Sequence, residues 1–237
     1  MHFDCVSRTD VGLKRKVNED SVLARTEAGL WAVADGMGGH EAGEVASAKV
    51  VEALGALPAA DGLDPLVDNA VAALIAVNRE LIAMAGAGNG QRTIGSTVVG
   101  LAIADGRYCC FWAGDSRGYR LRRGEIVQLS HDHSLVQSLV DAGMLKPEEA
   151  DAHENANVIT RAVGVAPDLS VDRVDGEVEP GDLFLLASDG LTRLVADAEM
   201  AAELGSKPLD EAADRLLALA LARGAPDNVS LVVTRAS

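Results

Sequence analysis

The apolar positions along this chain follow two different periods. Nearly continuous apolar runs occupy residues 30–34, 97–104, 108–113, 183–187 and 229–234. Runs of this length, bounded by Gly, Asp and Asn, predict strands buried on both faces. Asp105-Gly106 separates the second run from the third, and Arg123-Gly124 separates residues 118–122 from 125–129, so each pair predicts a tight hairpin. Helical spacing governs residues 44–57, 66–85, 134–142 and 209–223. In the last of these Leu209, Ala212, Ala213, Leu216, Leu217 and Ala220 share one face. Breakers mark residues 56–65 and 86–90 as loops. Strands, then a long helix pair, then hairpins, then more helices and strands is not a βαβ alternation. The order predicts antiparallel sheets covered by helices, in a single domain spanning 1–237 with no internal repeat.

Composition narrows the function. The chain has 237 residues, 48% of them apolar, enough for a sizeable core. The most apolar helical stretch, 67–85, is interrupted by Asp68, Asn69, Asn78, Arg79 and Glu80, so no membrane span is expected. The polar first ten residues lack a leader pattern, which points to the cytoplasm. Cys5, Cys109 and Cys110 make no disulfide framework. Cys109 and Cys110 are expected to face opposite sides of one buried strand. The formal charge of −15 argues against nucleic acid as a partner. An acidic chain can still bind a phosphate if cations neutralise the site.

The acids fall where strands end. Trp31-Ala-Val-Ala34 runs into Asp35-Gly36, Phe111-Trp-Ala-Gly114 into Asp115, and the 183–188 run into Asp189-Gly190. Asp227-Asn228 opens the last strand, and Asn18-Glu19-Asp20 precedes Ser21-Val-Leu-Ala24. A carboxylate at the end of a buried strand is costly unless it is paired or binds a cation. Basic residues nearby are few, chiefly Arg15 and Arg117. If these ends share one rim, an all-oxygen donor set selects a hard ion such as Mg²⁺ or Mn²⁺. The competing reading is that each Asp is a turn or cap residue, and Asp61-Gly62, Asp105-Gly106 and Asp175-Gly176 are taken as turns on that ground.

In these contexts the chain resembles the PP2C-type metal-dependent protein phosphatases, in particular their short bacterial members. The resemblance is carried in order by Asp10-Val-Gly-Leu-Lys-Arg15-Lys-Val-Asn18-Glu19-Asp20, Val33-Ala-Asp35-Gly36-Met-Gly-Gly-His40, Ala113-Gly-Asp115-Ser-Arg117, Asn157-Val-Ile-Thr-Arg161-Ala-Val-Gly164, Ser188-Asp189-Gly190-Leu191 and Asp227-Asn228-Val229. It implies an α+β fold, a four-layer αββα sandwich of two antiparallel sheets flanked by helix pairs. It implies that Asp35 bridges two Mn²⁺ or Mg²⁺ ions, that the Gly36 carbonyl ligates one, and that Asp189 and Asp227 hold the other. Glu19 and Asp20 would complete the centre through water, and Asp115 with Asp189 would hold a third, weaker ion. Arg15 matches the arginine that grips the substrate phosphate, to which it can give two parallel hydrogen bonds. The implied reaction is direct attack of a metal-held water on phosphoserine or phosphothreonine of proteins, opposing a Ser/Thr kinase.

Met37 stands where many eukaryotic members carry a histidine that protonates the leaving alcohol. That role is left to His40 or to a metal-held water. Residues 131–160, with His131, His133 and His153, resemble the helical flap beside the site in bacterial members; they set substrate choice or are a surface helix pair. Asn157 and Arg161 are read as structural. A monomer is expected. The rival functions are a catalytically dead phosphoprotein-binding relative and a structural cation-binding protein without turnover.

Overall fold

The computed structural model describes residues 2–38, 42–87, 93–150 and 152–237. In chain order its strands are β1 (Phe3–Asp10), β2 (Asp20–Arg25), β3 (Leu30–Met37), β4 (Gly95–Ser96), β5 (Val98–Ala104), β6 (Arg107–Ala113), β7 (Arg117–Arg122), β8 (Glu125–Gln128), β9 (Asp172–Glu177), β10 (Leu183–Ala187) and β11 (Val229–Ala236). The helices are α1 (Ala42–Gly55), α2 (Leu63–Ala87), α3 (Leu135–Asp141), α4 (Asp189–Thr192), α5 (Asp197–Ser206) and α6 (Leu209–Ala222). One sheet runs β1-β11-β10-β7-β8 and the other β2-β3-β5-β6-β9, with β4 paired to β3. Every pairing is antiparallel.

The continuous apolar runs are explained by three separate cores. Along β3, Leu30, Ala32 and Ala34 face α1 and α2, whereas Trp31 and Val33 face the opposing sheet. Along β10, Phe184 and Leu186 join the same inter-sheet layer, whereas Leu183, Leu185 and Ala187 face α4, α5 and α6. A strand buried on both sides shows no polar alternation. Cys109 and Cys110 split between the helix-facing and inter-sheet cores as expected. The result is the four-layer αββα sandwich.

Both predicted hairpins form, with Asp105 and Gly106 at φ 54° and 73° and Arg123 and Gly124 at 54° and 83°. Asp175-Gly176 is not a turn. It lies inside β9, opposite Cys109 and Tyr108, and a Cβ on Gly176 would stand 2.5 Å from the Tyr108 ring. The glycine is there to admit an aromatic ring. Asp61-Gly62 precedes a helix rather than joining strands. That helix, α2, begins three residues before the predicted start because Pro65 is tolerated in a first turn. Five elements had no expected counterpart: the very short β4 and α4, and β1, β9 and α5. Outward-facing polar residues obscure the patterns of β1, β9 and α5.

Residues 131–160 connect β8 to β9 and contribute no strand to either sheet. The neck of this segment is closed by Leu135 N to Val158 O (2.8 Å) and Thr160 N to His133 O (2.8 Å). His133 is buried in this neck, where its Nδ1 accepts from Gly114 N (3.2 Å) and its Nε2 faces Asp172 (3.2 Å) and Arg161. It braces the turn that carries Asp115. Arg161 pairs with Asp172 at 2.5 Å.

Candidate metal centre

The ends of β1, β3, β6 and β10 and the starts of β2, β7 and β11 lie at one end of the sandwich, as their registers require. The acids named from sequence are therefore brought together. Glu19, Asp35, Gly36, Asp115, Asp189 and Asp227 line one cleft of about 260 Å³, with Arg15 on its wall. Asp20 sits behind this surface, opposite Asp35 in the β2–β3 ladder. His40 lies outside the described residues.

Backbone and hydroxyl groups fix these carboxylates. Gly36 N donates to Glu19 O (3.0 Å), and Thr97 N and Ser96 Oγ both donate to Asp35 O (2.8 and 3.0 Å). Ser188 precedes α4 but does not cap it; its hydroxyl donates to Asp20 Oδ2 at 2.9 Å. Asn228 ties the sheets together: its Nδ2 donates to Val11 O and Val17 O, and its Oδ1 accepts from Glu19 N (2.8 Å). Asp227 Oδ1 accepts from Asn228 N, leaving Oδ2 to Arg15 at 2.6 Å.

The two glycines of the site are not turn residues. A Cβ on Gly36 would lie 2.0 Å from Gly43 O and 2.6 Å from Glu19 O, and one on Gly190 would lie 1.9 Å from Asn228 O. Each marks a point where two backbones meet, which only glycine permits.

The electrostatics are those of carboxylates forced together. Burial, then the neighbouring charges of Asp189 and Asp227, pushes Asp20 up to about 7. Burial and Asp189 push Asp115 up to about 7 as well. Asp35 is raised well above the usual range by burial and by Asp20, Asp189, Asp115 and Asp227, and Asp189 is raised by burial and Asp227. Asp20 Oδ1 and Asp115 Oδ1 are buried with no hydrogen-bond partner. Orphaned acceptors of this kind call for a cation or a water.

Among the described residues, no three acidic, histidine or cysteine side chains are already closed into a ligand cage. Two arginines pair with acids of the cleft. Arg15 holds Asp227, and Arg193 lies 3.1 Å from both Asp115 and Asp189. Arg117, singled out in sequence, pairs instead with Asp132, with contacts down to 2.7 Å. Arg193 was not anticipated, although its position four residues after Asp189 is a helical ion-pair spacing. The donors remain all oxygen and mostly anionic, and two of them lack partners, so the residues fit hard divalent cations.

Architecture and donor set together define a helix-flanked double sheet with an oxygen-lined cation cleft. The model of the family Protein phosphatase 2C matches residues 14–224. The serine/threonine protein phosphatase PstP of Mycobacterium tuberculosis is 42% identical over 230 residues, covering 96% of this chain and 44% of that protein. The structure of PppA from Pseudomonas aeruginosa superposes with a TM-score of 0.93 at 43% identity, covering 100% and 99% of the two chains. That of the PstP catalytic domain in complex with two manganese ions gives 0.87 at 39% identity, covering 98% and 97%. This chain belongs to the protein phosphatase 2C family. It spans less than half the length of PstP.

Proposed function

We propose that this chain is a metal-dependent phosphatase that hydrolyses phosphoserine and phosphothreonine esters on proteins, opposing a Ser/Thr kinase. The observation that carries the reading is the gathering of Glu19, Asp35, Asp189 and Asp227, from both sheets, beside Arg15 on one cleft. Asp35, the Gly36 carbonyl, Asp189 and Asp227 are assigned to two core ions, with Glu19 and Asp20 completing the shell. Asp115 and Asp189 are assigned to a third, weaker ion. Manganese is the first choice, as in the PstP complex, with magnesium the alternative. Bound there, the cations supply a water nucleophile of lowered pKa and neutralise the phosphoryl group.

The rest of the chemistry is positional. Arg15 reaches the cleft from an exposed loop, and Asp227 fixes the direction of its guanidinium. Its planar fork suits two phosphate oxygens. Asn228 keeps the loop carrying Glu19 in register with Asp227. A second groove of about 390 Å³, lined by Lys14, Arg15, Asp189, Leu194, Pro226 and Asp227 among others, adjoins the cleft. It gives a phosphorylated segment of protein a path beside the acids, with Lys14, Arg15, Leu194 and Pro226 on its walls. The whole of 1–237 is assigned to one catalytic domain, with residues 131–160 its flap. Among the described residues no helix is long and apolar enough to cross a membrane; a cytoplasmic monomer is the accompanying reading.

Hydrolysis of p-nitrophenyl phosphate and of a phosphothreonine peptide with Mn²⁺, abolished by EDTA, tests the proposal. Asp35→Ala and Asp189→Ala are expected to lower turnover by more than about 100-fold, beyond the usual cost of losing only a supporting group around a metal. Full activity in either variant would overturn it. Tight Mn²⁺ binding without turnover would favour the structural-cation alternative.

A further inference from the structure

Arg193 has no part in the assignments above, yet it is the most connected side chain at the centre. Its Nη2 donates to Asp115 Oδ2 (3.1 Å), and its Nε stands 3.1 Å from Asp189 Oδ2. The same guanidinium reaches the flap, with Nη2 to Ala156 O (3.1 Å) and Nη1 to Asn157 Oδ1. One rigid fork therefore joins the acids at the cleft floor to the C-terminal limb of the flap. Its side chain is 24% exposed, against 5% for Asp115, so the contact with Asp115 is well shielded from water. Arg193 also stands between two spaces. It lines the open cleft, and it lines a small pocket of about 30 Å³ beside the flap, shared with Asp115, Asp132, Ser134 and Thr192.

A guanidinium and a divalent cation are alternative counter-charges for the same carboxylates. Asp115 is buried, so water competes little with whichever of them it meets. Its Oδ2 is taken by Arg193 and its Oδ1 has no partner. The second carboxylate that Arg193 meets, Asp189, is the other group assigned to the weaker ion. A cation that enlists this pair must compete with the arginine, and an arginine displaced from the pair loses its fixed geometry toward Ala156 and Asn157.

We infer that Arg193 is a positioning residue that acts as an internal counter-ion: it holds the flap down while it occupies Asp115 and Asp189, and releases it when a weakly held divalent cation takes those carboxylates. The inference rests on the phosphatase reading only for the identity of that cation site. Its consequence is that flap order and occupancy of the weaker site are linked, and by reciprocity a flap held shut weakens cation binding there.

The test uses Arg193→Ala, Arg193→Lys and Asn157→Ala in the full chain, with two readouts besides turnover. One is the rate of cleavage after Glu148, Glu149 or Glu154 by a glutamate-specific protease. The other is free Mn²⁺, followed by electron paramagnetic resonance across a titration. In EDTA the wild-type flap should be cut several-fold more slowly than that of Arg193→Ala, and saturating Mn²⁺ should bring the wild type towards the variant. The weakest Mn²⁺ site should tighten by about 5-fold or more in Arg193→Ala, as expected when a competing cation is removed. Arg193→Lys, which keeps the charge and loses the fork, should fall between them. Asn157→Ala, which leaves the arginine on the carboxylates, should free the flap and by the same reciprocity tighten the weakest Mn²⁺ site, though by less than Arg193→Ala does. Equal protease rates for wild type and Arg193→Ala in EDTA, or unchanged Mn²⁺ affinity in Arg193→Ala, would overturn the latch. Arg193→Lys supplies both measurements if the alanine variant does not fold. Loss of hydrolysis in the wild type would strike the phosphatase reading alone, because neither readout depends on it.

Discussion

Removing divalent cations should reverse the ordinary dependence of stability on pH. Burial and mutual repulsion push Asp20 and Asp115 from 3.8 up to about 7 and raise Asp35 and Asp189 in the same direction. Between the unfolded value and about 7 the folded chain keeps protons that the unfolded chain gives up. Stability therefore falls as pH rises through this window and stays low above it. At 1.36 kcal/mol per pKa unit, one such shift corresponds to about 4 kcal/mol at pH 8, and to less for each group when neighbours titrate together. His133 opposes the trend: burial lowers its pKa, so charging it in the unfolded chain destabilises the fold as pH drops below about 6.5. It is one group against four. In EDTA the melting temperature should drop by at least about 5 °C between pH 5.5 and pH 8, given the 2–4 °C per kcal/mol expected at this size. With Mn²⁺ the loss should be recovered most fully at pH 8, because a cation needs deprotonated ligands and stabilises by mass action. Scanning calorimetry at low and high ionic strength separates the centre from diffuse repulsion by the net charge of −15, which salt screens. Asp20→Asn, which mimics the protonated acid, should flatten the EDTA slope. A melting temperature in EDTA that is level or rising from pH 5.5 to 8 would refute the reasoning.

Other perturbations probe the supports of the site. Ser188→Ala removes the hydrogen bond to buried Asp20, and should cost about 1–3 kcal/mol by urea denaturation and about 10-fold in Mn²⁺ affinity by calorimetric titration. Gly36→Ala places a methyl 2.0 Å from Gly43 O; it should destabilise by more than about 3 kcal/mol, the upper end of ordinary overpacking, and abolish turnover. Gly106→Ala meets no atom within 4 Å but keeps φ at 73°, so it should cost only about 1–2 kcal/mol and leave kcat unchanged. Similar melting curves for the two glycine variants would show that the Asp-Gly pairs do not differ in kind.

How far the sequence speaks for itself is shown by those Asp-Gly pairs. Asp105-Gly106, Asp175-Gly176 and Asp35-Gly36 look alike along the chain and do three different things. The first turns a hairpin, the second opens space for the Tyr108 ring, and the third lets α1 approach the strand that carries the central acid. Local chemistry identifies the hairpin because a turn is a local object. The other two are set by residues distant along the chain or on a neighbouring strand, and no property of the dipeptide encodes them. The same division runs through the site. Asp35, Asp115, Asp189 and Asp227 could be singled out because each stands where an apolar run ends or begins, and that boundary is visible in one dimension. Arg193 could not, since an arginine just after a short helix is unremarkable until the fold sets it between Asp115 and the Asn157 limb of the flap. Its i,i+4 relation to Asp189 is legible in the sequence; its relation to Asp115, 78 residues away, exists only in the folded chain. A sequence thus reports where charge is costly more readily than what offsets that charge. In this protein the offset is where regulation of the site can be sought.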